Sequence, residues 1–365
     1  MKKYYNPVNI VKTDNWKLEV AKYLKKYDVL SPIIITSPGN RKRLDLDSIF
    51  HSKSIFSFVN SNPDFEDCSN VISFCKGNSF DSVIAIGGGS VMDLAKVVLA
   101  YICTDQSNII KLISYKEKFP REIPSIFLPT THGTASEVTM WGTIWNIKEK
   151  KKYSISNPSL YPTTAILDGN LTLTLPLKIS IITIMDALSH SFEAIWNKNA
   201  NPISTDYAIK AISTILNNIN SFKNNPNRID VRNCLLEAST VAGLAFSNTT
   251  TAAAHSISYP LTMYYGMPHG VASSITLIPL LDINEESIKK PLTKIYENNK
   301  LNKNELKKEI KNIPSSIISY KLNEWGVQKK ELAVLASRSF TKGRMENNIV
   351  NLNQEDVHSI LKIIY

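Results

Sequence analysis

The sequence predicts two parts, an α/β N-terminal domain built on a parallel sheet over residues 1–176 and an all-α C-terminal domain over residues 177–365. Three observations carry this reading. Short apolar, β-branched runs alternate with helical segments through the first half, as expected of strands buried on both faces of a parallel sheet. One run opens into Gly87-Gly88-Gly89-Ser90 and then a helix, a geometry that seats a pyrophosphate, so the first domain reads as dinucleotide-binding. Beyond Pro176 strand signals fade, and Asp186 and His190 stand four apart in a run of helical spacing. Both side chains then leave one helix face, which is half of a metal site or else an exposed ion pair or a satisfied core histidine; with the two later histidines the second domain reads as metal-binding.

At 365 residues the chain exceeds a typical single domain, and each part is long enough to bury a sizeable core. A composition of 43% apolar and 20% charged residues is that of a folded globular protein. Basic residues outnumber acidic ones by 42 to 32, a net charge of +10, which suits nucleic acid, a membrane surface or anionic small molecules. Much of the excess is lysine scattered among asparagine and isoleucine, as from Lys289 to Lys311, with no nucleic-acid-binding motif around it. A solvated lysine face is expected there, and a small anionic substrate is compatible with it. Cys68, Cys75, Cys103 and Cys234 show neither C-x-x-C spacing nor a dense disulfide framework and read as buried or spare thiols. No apolar h-region follows Met1 to Pro7, and no run reaches the roughly 18 apolar residues of a membrane span. A cytoplasmic protein with neither nucleic acid nor membrane as partner is expected, forming a homodimer.

In chain order, a helix from Trp16 to Lys26 precedes the strand Pro32–Thr36, which runs into Ser37-Pro38-Gly39-Asn40-Arg41-Lys42-Arg43. A second strand spans Ser54–Val59 and leaves through Asn60-Ser61-Asn62-Pro63, an Asn-Pro turn. After a helix from Glu66 to Lys76, the buried strand Asp81–Ile86 reaches the glycines, which let the backbone approach phosphates closely. Ser90 and Asp93 have capping-box spacing, so the helix is expected to start at Ser90. The strand Ser125–Leu128 enters the small, hydroxyl-rich Pro129-Thr130-Thr131-His132-Gly133-Thr134-Ala135-Ser136-Glu137. Lys148 to Tyr153 reads as solvated hairpin surface. Helical periodicity then marks Pro202–Asn220, Val231–Ser247 and Glu331–Arg338, and two more of the six histidines, His255 and His269, flank a turn at Tyr264-Tyr265-Gly266-Met267-Pro268. One carboxylate with three imidazoles would suit Fe²⁺ or Zn²⁺ better than Mg²⁺ or Ca²⁺.

The string Met185-Asp186-Ala187-Leu188-Ser189-His190-Ser191-Phe192-Glu193-Ala194, with His255 and His269 far downstream, resembles the metal signature of the iron-dependent (group III) alcohol dehydrogenases. Gly87-Gly88-Gly89-Ser90-x-x-Asp93-x-Ala95-Lys96 and Pro129-Thr130-Thr131-x-Gly133-Thr134-x-Ser136-Glu137 resemble that family's cofactor segments, in the family's order along nearly the whole chain. The resemblance implies Asp186, His190, His255 and His269 as metal ligands and NADH or NADPH as cofactor, with cofactor and metal meeting in the cleft between domains. It implies cofactor contacts at Gly88, Gly89, Ser90, Asp93, Thr130, Thr131, Thr134 and Ser136, and at Asn62, Lys152 and Leu171, which align with family contacts. Members that choose NAD often have an Asp where Ser37 stands. Here Arg41, Lys42 or Arg43 would meet a 2′-phosphate, or else form a charged turn that touches nothing. His132 replaces an expected alanine and reads either as a satisfied loop histidine or as a substrate contact.

The implied activity is reduction of an aldehyde to a primary alcohol. A histidine commonly stands four residues after the third ligand in this family, and here that position is Tyr259. The His255-to-Thr262 string, Trp141-Gly142-Thr143-Ile144-Trp145 and Arg344-Met345-Glu346-Asn347-Asn348 look like the branch that reduces phosphonoacetaldehyde to 2-hydroxyethylphosphonate. Arg344 is the first candidate for the phosphonate contact, against an arginine on an exposed turn. The alternatives are another small aldehyde or alcohol as substrate, the related fold of dehydroquinate synthase and glycerol-1-phosphate dehydrogenase, and a non-enzymatic basic nucleic-acid-binding protein.

Overall fold

In the computed structural model, which describes residues 3–149 and 151–365, the chain separates into two compact units. One comprises Asn6–Thr131 and Ala135–Thr172; the other takes the residues up to Tyr5, His132–Thr134 and Leu173–Tyr365. Lys150 of the hairpin charge run lies outside the described residues.

The first unit is α/β. Its elements are β1 (Asn9–Lys12), α1 (Trp16–Lys26), β2 (Pro32–Thr36), α2 (Pro38–Arg43), β3 (Ile55–Phe56), α3 (Phe65–Cys75), β4 (Ser82–Gly87), α4 (Gly89–Thr104), α5 (Ile109–Ser114), β5 (Ser125–Pro129), β6 (Trp141–Asn146), β7 (Lys151–Ser156) and β8 (Thr164–Leu167). Six strands form a parallel sheet in the order β1-β8-β5-β4-β2-β3, and β6 and β7 form an antiparallel hairpin. Apolar residues fill both faces. Ile33, Ile35, Val83, Ala85 and Phe127 join one core cluster with α3 and α4, while Ile34, Ile84, Ile86, Ile126 and Leu128 join the other with Trp16, Val20 and Tyr23 of α1. Period-two alternation between two apolar cores is why these strands read as continuous hydrophobic runs.

Chain order reverses beside β2, since β3 lies on one side of it and β4 on the other. Register pairs Thr36 with Ile86 and Gly87 with Pro129, so the exits of β2, β4 and β5 lie along one edge of the sheet. Open parallel sheets bind ligands at the carboxyl ends of strands where the order switches. Two local expectations are corrected. The strand expected over 54–59 is only Ile55–Phe56, because the chain leaves the sheet edge and turns Phe58 outward to 76% exposure. The helix expected to start at Ser90 has Gly88 as its cap and starts at Gly89, with no side-chain cap bond, so the capping box does not form. Ser90 Oγ instead accepts from the Asn62 amide at 3.1 Å, and Asp93 accepts from Ser136 Oγ at 3.0 Å.

The second unit is helical. It holds α6 (Leu177–Ile195), α7 (Pro202–Asn224), α8 (Ile229–Thr249), α9 (Ala253–Tyr265), α10 (His269–Ser274), α11 (Leu277–Asn284), α12 (Lys289–Asn299), α13 (Lys303–Asn312), α14 (Leu332–Arg338) and α15 (Gln354–Ile363). Helix α6 is its axis, buried at almost every position from Ser180 to Ile195. A helix enclosed on all sides must find partners for each polar group it carries, and α6 carries Asp186, His190 and Glu193. No described helix is long and apolar enough to cross a membrane.

Candidate functional site

Close backbone approach builds the candidate metal site. A Cβ on Gly270 would lie 2.2 Å from the Ile182 carbonyl oxygen, and one on Gly133 would lie 2.6 Å from that of Thr183. Only glycine lets the start of α10 and the segment His132–Thr134 rest directly on α6, one turn before Asp186. His269, the residue before Gly270, is thereby brought to Asp186.

Asp186, His255 and His269 converge, with one donor atom from each lying within 4.8 Å of the others. His255 Nε2 is 3.6 Å and His269 Nε2 3.9 Å from Asp186 Oδ1. Ligands at about 2.1 Å from a tetrahedral ion sit roughly 3.4 Å apart, so this oxygen-and-nitrogen set fits such an ion with little movement. His255 Nε2 is buried beyond hydrogen-bond reach of any acceptor among the described residues, as a ligand atom would be. Ser273 donates to Asp186 Oδ1 at 2.8 Å, fixing the carboxylate. Burial alone would raise the Asp186 pKa, but the charges of His190, His269 and His255 hold it far below the usual carboxylate range.

Glu193 was missed as a functional residue. It is fully buried on α6, Oε2 receives His255 Nδ1, and Oε1 accepts the Ala252 and His255 amides at 2.9 and 3.1 Å. With the Nδ1 proton committed to a carboxylate, Nε2 is left to face Asp186, the arrangement that orients metal-binding histidines. Burial opposes protonation of His255, but the negative charges of Glu193 and Asp186 beside it outweigh it and push its pKa up to about 10. The available signal was spacing: Asp186, His190 and Glu193 follow one another at four and three residues along a single helix face.

The fourth candidate ligand is not part of that convergence. The His190 ring lies flat against His255 at 4.6 Å and against Phe246 at 4.0 Å, and burial pulls its pKa down to about 4. The reading of His132 as a satisfied loop histidine does not hold: it is completely enclosed, edge-on to Phe222 at 6.0 Å, and neither ring nitrogen has a hydrogen-bond partner among the described residues. Burial first, then the charge of Arg232, holds its pKa down to about 3, so the ring is neutral. Arg344 Nε donates to Tyr259 Oη at 3.3 Å, and Tyr259 stands one turn along α9 from His255. Asn347 secures that loop by donating to Thr250 Oγ1 and the Thr251 carbonyl, both at 2.9 Å, just before α9.

In the α/β unit the glycines have steric reasons of their own. A Cβ on Gly87 would lie 2.5 Å from Val91, and one on Gly88 would lie 3.0 Å from Thr131. The first amides of α4, at Gly89 and Ser90, thus stand beside Thr130 and Thr131, with the Thr130 amide bonded to the Gly87 carbonyl at 3.0 Å. Asn62, in the left-handed region at φ 56°, closes onto Ser90. Asp93 and Ser136 belong to a buried network around Lys96, whose ammonium donates to the Ser136 carbonyl and hydroxyl, Thr139 Oγ1 and the Trp141 carbonyl. Leu171 is fully buried in the core, its carbonyl accepting from Arg43, while Lys152 lies over the Trp145 ring at 5.5 Å. Ser37 caps α2 by accepting the Asn40 amide at 3.2 Å. Arg41 is paired with Asp47, and Lys42 is exposed. Thr134 is half-buried in the segment that groups with the helical unit.

Comparison with known proteins shows the family. Residues 7–169 match the family described as iron-containing alcohol dehydrogenase, and residues 180–365 match its C-terminal region. A 4-hydroxybutyrate dehydrogenase of Clostridium kluyveri is 30% identical over 96% of this chain and 98% of its own length. Alcohol dehydrogenase 4 of Saccharomyces cerevisiae is 27% identical over 95% of this chain and 94% of its own. Among solved structures, a sulfoacetaldehyde reductase from Bifidobacterium kashiwanohense in complex with NAD⁺ superposes with a TM-score of 0.91 at 26% identity, covering 100% of this chain and 98% of that one. The chain belongs to the iron-containing alcohol dehydrogenase family. It is accordingly an oxidoreductase of the alcohol dehydrogenase and aldehyde reductase type.

Proposed function

We propose that this chain reduces a small anionic aldehyde to its primary alcohol, phosphonoacetaldehyde to 2-hydroxyethylphosphonate being the reaction its sequence favours. Asp186, His255 and His269 are the proposed metal-holding residues; His190 is proposed as the fourth on the family resemblance alone, its ring here being stacked on His255 outside the converging set. A bound Fe²⁺ or Zn²⁺ supplies polarisation of the carbonyl oxygen, and NADH or NADPH supplies hydride. The observation that carries the anionic substrate is Arg344. Its guanidinium rests on Tyr259, about 6 Å along α9 from His255, and pairs with no carboxylate among the described residues. A planar fork so placed can hold the far end of a two-carbon aldehyde while the carbonyl end faces the ligand cluster. The names of two relatives, a 4-hydroxybutyrate dehydrogenase and a sulfoacetaldehyde reductase, likewise specify molecules with an anionic group at the end away from the alcohol or aldehyde.

The test is nicotinamide oxidation with matched anionic and neutral aldehydes, on the native chain and on Arg344→Ala. For an anionic aldehyde the substitution is expected to remove about 1.5–3 kcal/mol of transition-state binding, read as kcat/KM, the scale of a hydrogen bond to a charged group. A neutral aldehyde of similar size is expected to change little. Equal losses for both, or none, would reject the anion contact.

The nucleotide is proposed to lie on Gly88, Gly89, Ser90, Thr130 and Thr131, with Ser37 at the end of β2 beside the adenosine ribose. A serine there neither repels a 2′-phosphate nor grips a 2′-hydroxyl as a carboxylate does, so NADPH is expected to be used as well as NADH. Ser37→Asp is expected to shift the ratio of kcat/KM towards NADH. A strong native preference for NADH would refute the reading.

A further inference from the structure

A hollow of about 470 Å³ lies in the helical unit, between α13, the start of α11, the residues around Tyr320 and the end of α15. Its inner wall is apolar: Ile275, Pro279, Ile310 and Ile364 are buried there, and Ile363 stands at its mouth with 71% exposure. Its rim is mostly cationic, with the last residue, Tyr365, also at its edge. Lys307 is held by Asp282, whereas Lys308, Lys311 and Lys321 have exposed side chains and no carboxylate partner among the described residues. The lysine-rich stretch that reads in sequence as a plain solvated face therefore borders a concave apolar surface at its C-terminal end.

Neither half of this arrangement is satisfied by the chain itself. Apolar surface open to water favours an apolar group of fitting size, and clustered uncompensated ammoniums favour an anion at the mouth. We propose that the hollow binds a free amphipathic anion, an alkyl chain with a carboxylate or phosphate head, with the tail against Ile275, Pro279 and Ile310 and the head among Lys308, Lys311 and Lys321. Its concavity and volume lie in the range of small-molecule sites, which favours a free amphiphile over a flat lipid surface. The site is distinct from the proposed active site, although neighbouring residues of α10 serve both: Ser273 donates to Asp186, and Ser274 shares a hydrogen bond with Tyr320 at the edge of the hollow.

Titration calorimetry of the full chain with decanoate, and with decanol as the uncharged control, tests this. Saturable binding of decanoate at one site is expected, at least tenfold tighter than decanol and weakened by added salt. The double variant Lys308→Glu/Lys311→Glu, both exposed positions, is expected to lose at least tenfold in decanoate affinity with an unchanged melting temperature. Decanoate is expected not to compete with the aldehyde substrate in steady-state kinetics. Absence of saturable binding, equal affinity for decanoate and decanol, an unaffected double variant, or competition with the aldehyde would each overturn the proposal. Sedimentation with anionic vesicles in the absence of decanoate binding would overturn it in favour of a membrane surface.

Discussion

His255→Ala and His269→Ala are each expected to lose metal and turnover while binding nucleotide as the native chain does. Each deletes one of three donors whose atoms converge within 4.8 Å, and the residues proposed for the nucleotide lie in the other unit. The two variants should differ in stability. His255 is buried against the carboxylate of Glu193, so removing its imidazole leaves a buried charge without its partner, at a cost of about 3 kcal/mol or more. His269 is 27% exposed at the side chain, and its loss should leave the melting temperature of the metal-free chain nearly unchanged. The measurements are metal content after extensive dialysis, nucleotide affinity by fluorescence, and thermal unfolding. Full activity in either variant would remove the metal mechanism, whereas lost nucleotide binding would mean that the two functions are not separable as proposed.

What the sequence made legible depended on interactions local to one element. The parallel sheet could be read because Ile33 to Ile35 and Val83 to Ile86 are apolar on both faces, and the loop between β4 and α4 because glycines fall between a strand and a helix. Asp186 and His190 declared a common face by spacing alone. Cap geometry at Gly88 was not legible, because Ser90 is diverted by Asn62, twenty-eight residues earlier in the chain, and Asp93 by Ser136, forty-three residues later. The arginines after β2 show the same limit: Arg41 is drawn to Asp47 and Arg43 to the Leu171 carbonyl, pairings that depend on how the chain returns. His132 could be read only as a satisfied loop histidine or a substrate contact because nothing local shows that Gly133, pressed against Thr183, carries it into the helical unit beside Phe222.

Glu193→Gln is expected to preserve the fold yet weaken metal binding by about 10–100-fold, the usual effect of removing a partner that orients a metal-bound histidine. The carboxylate serves two purposes. Through Oε1 it satisfies the Ala252 and His255 amides at the start of α9, and through Oε2 it takes the proton of His255 Nδ1. Glutamine has the same shape but only one acceptor oxygen. If that oxygen keeps the two amides, the NH₂ faces Nδ1, the imidazole proton moves to Nε2, and the atom that should bind metal is blocked. If the amide flips, its NH₂ meets two backbone donors, which is worse. Glu193→Ala removes both functions and orphans two buried amides at about 1–3 kcal/mol each, so a clear drop in melting temperature should accompany its loss of metal. The glutamine variant therefore separates orientation from folding: its melting temperature without metal should lie near that of the native chain, while a competition titration with a chelator should show the weakened site. Native metal affinity in Glu193→Gln would reduce Glu193 to an anchor for α9, leaving Asp186 and Ser273 to orient the cluster without it.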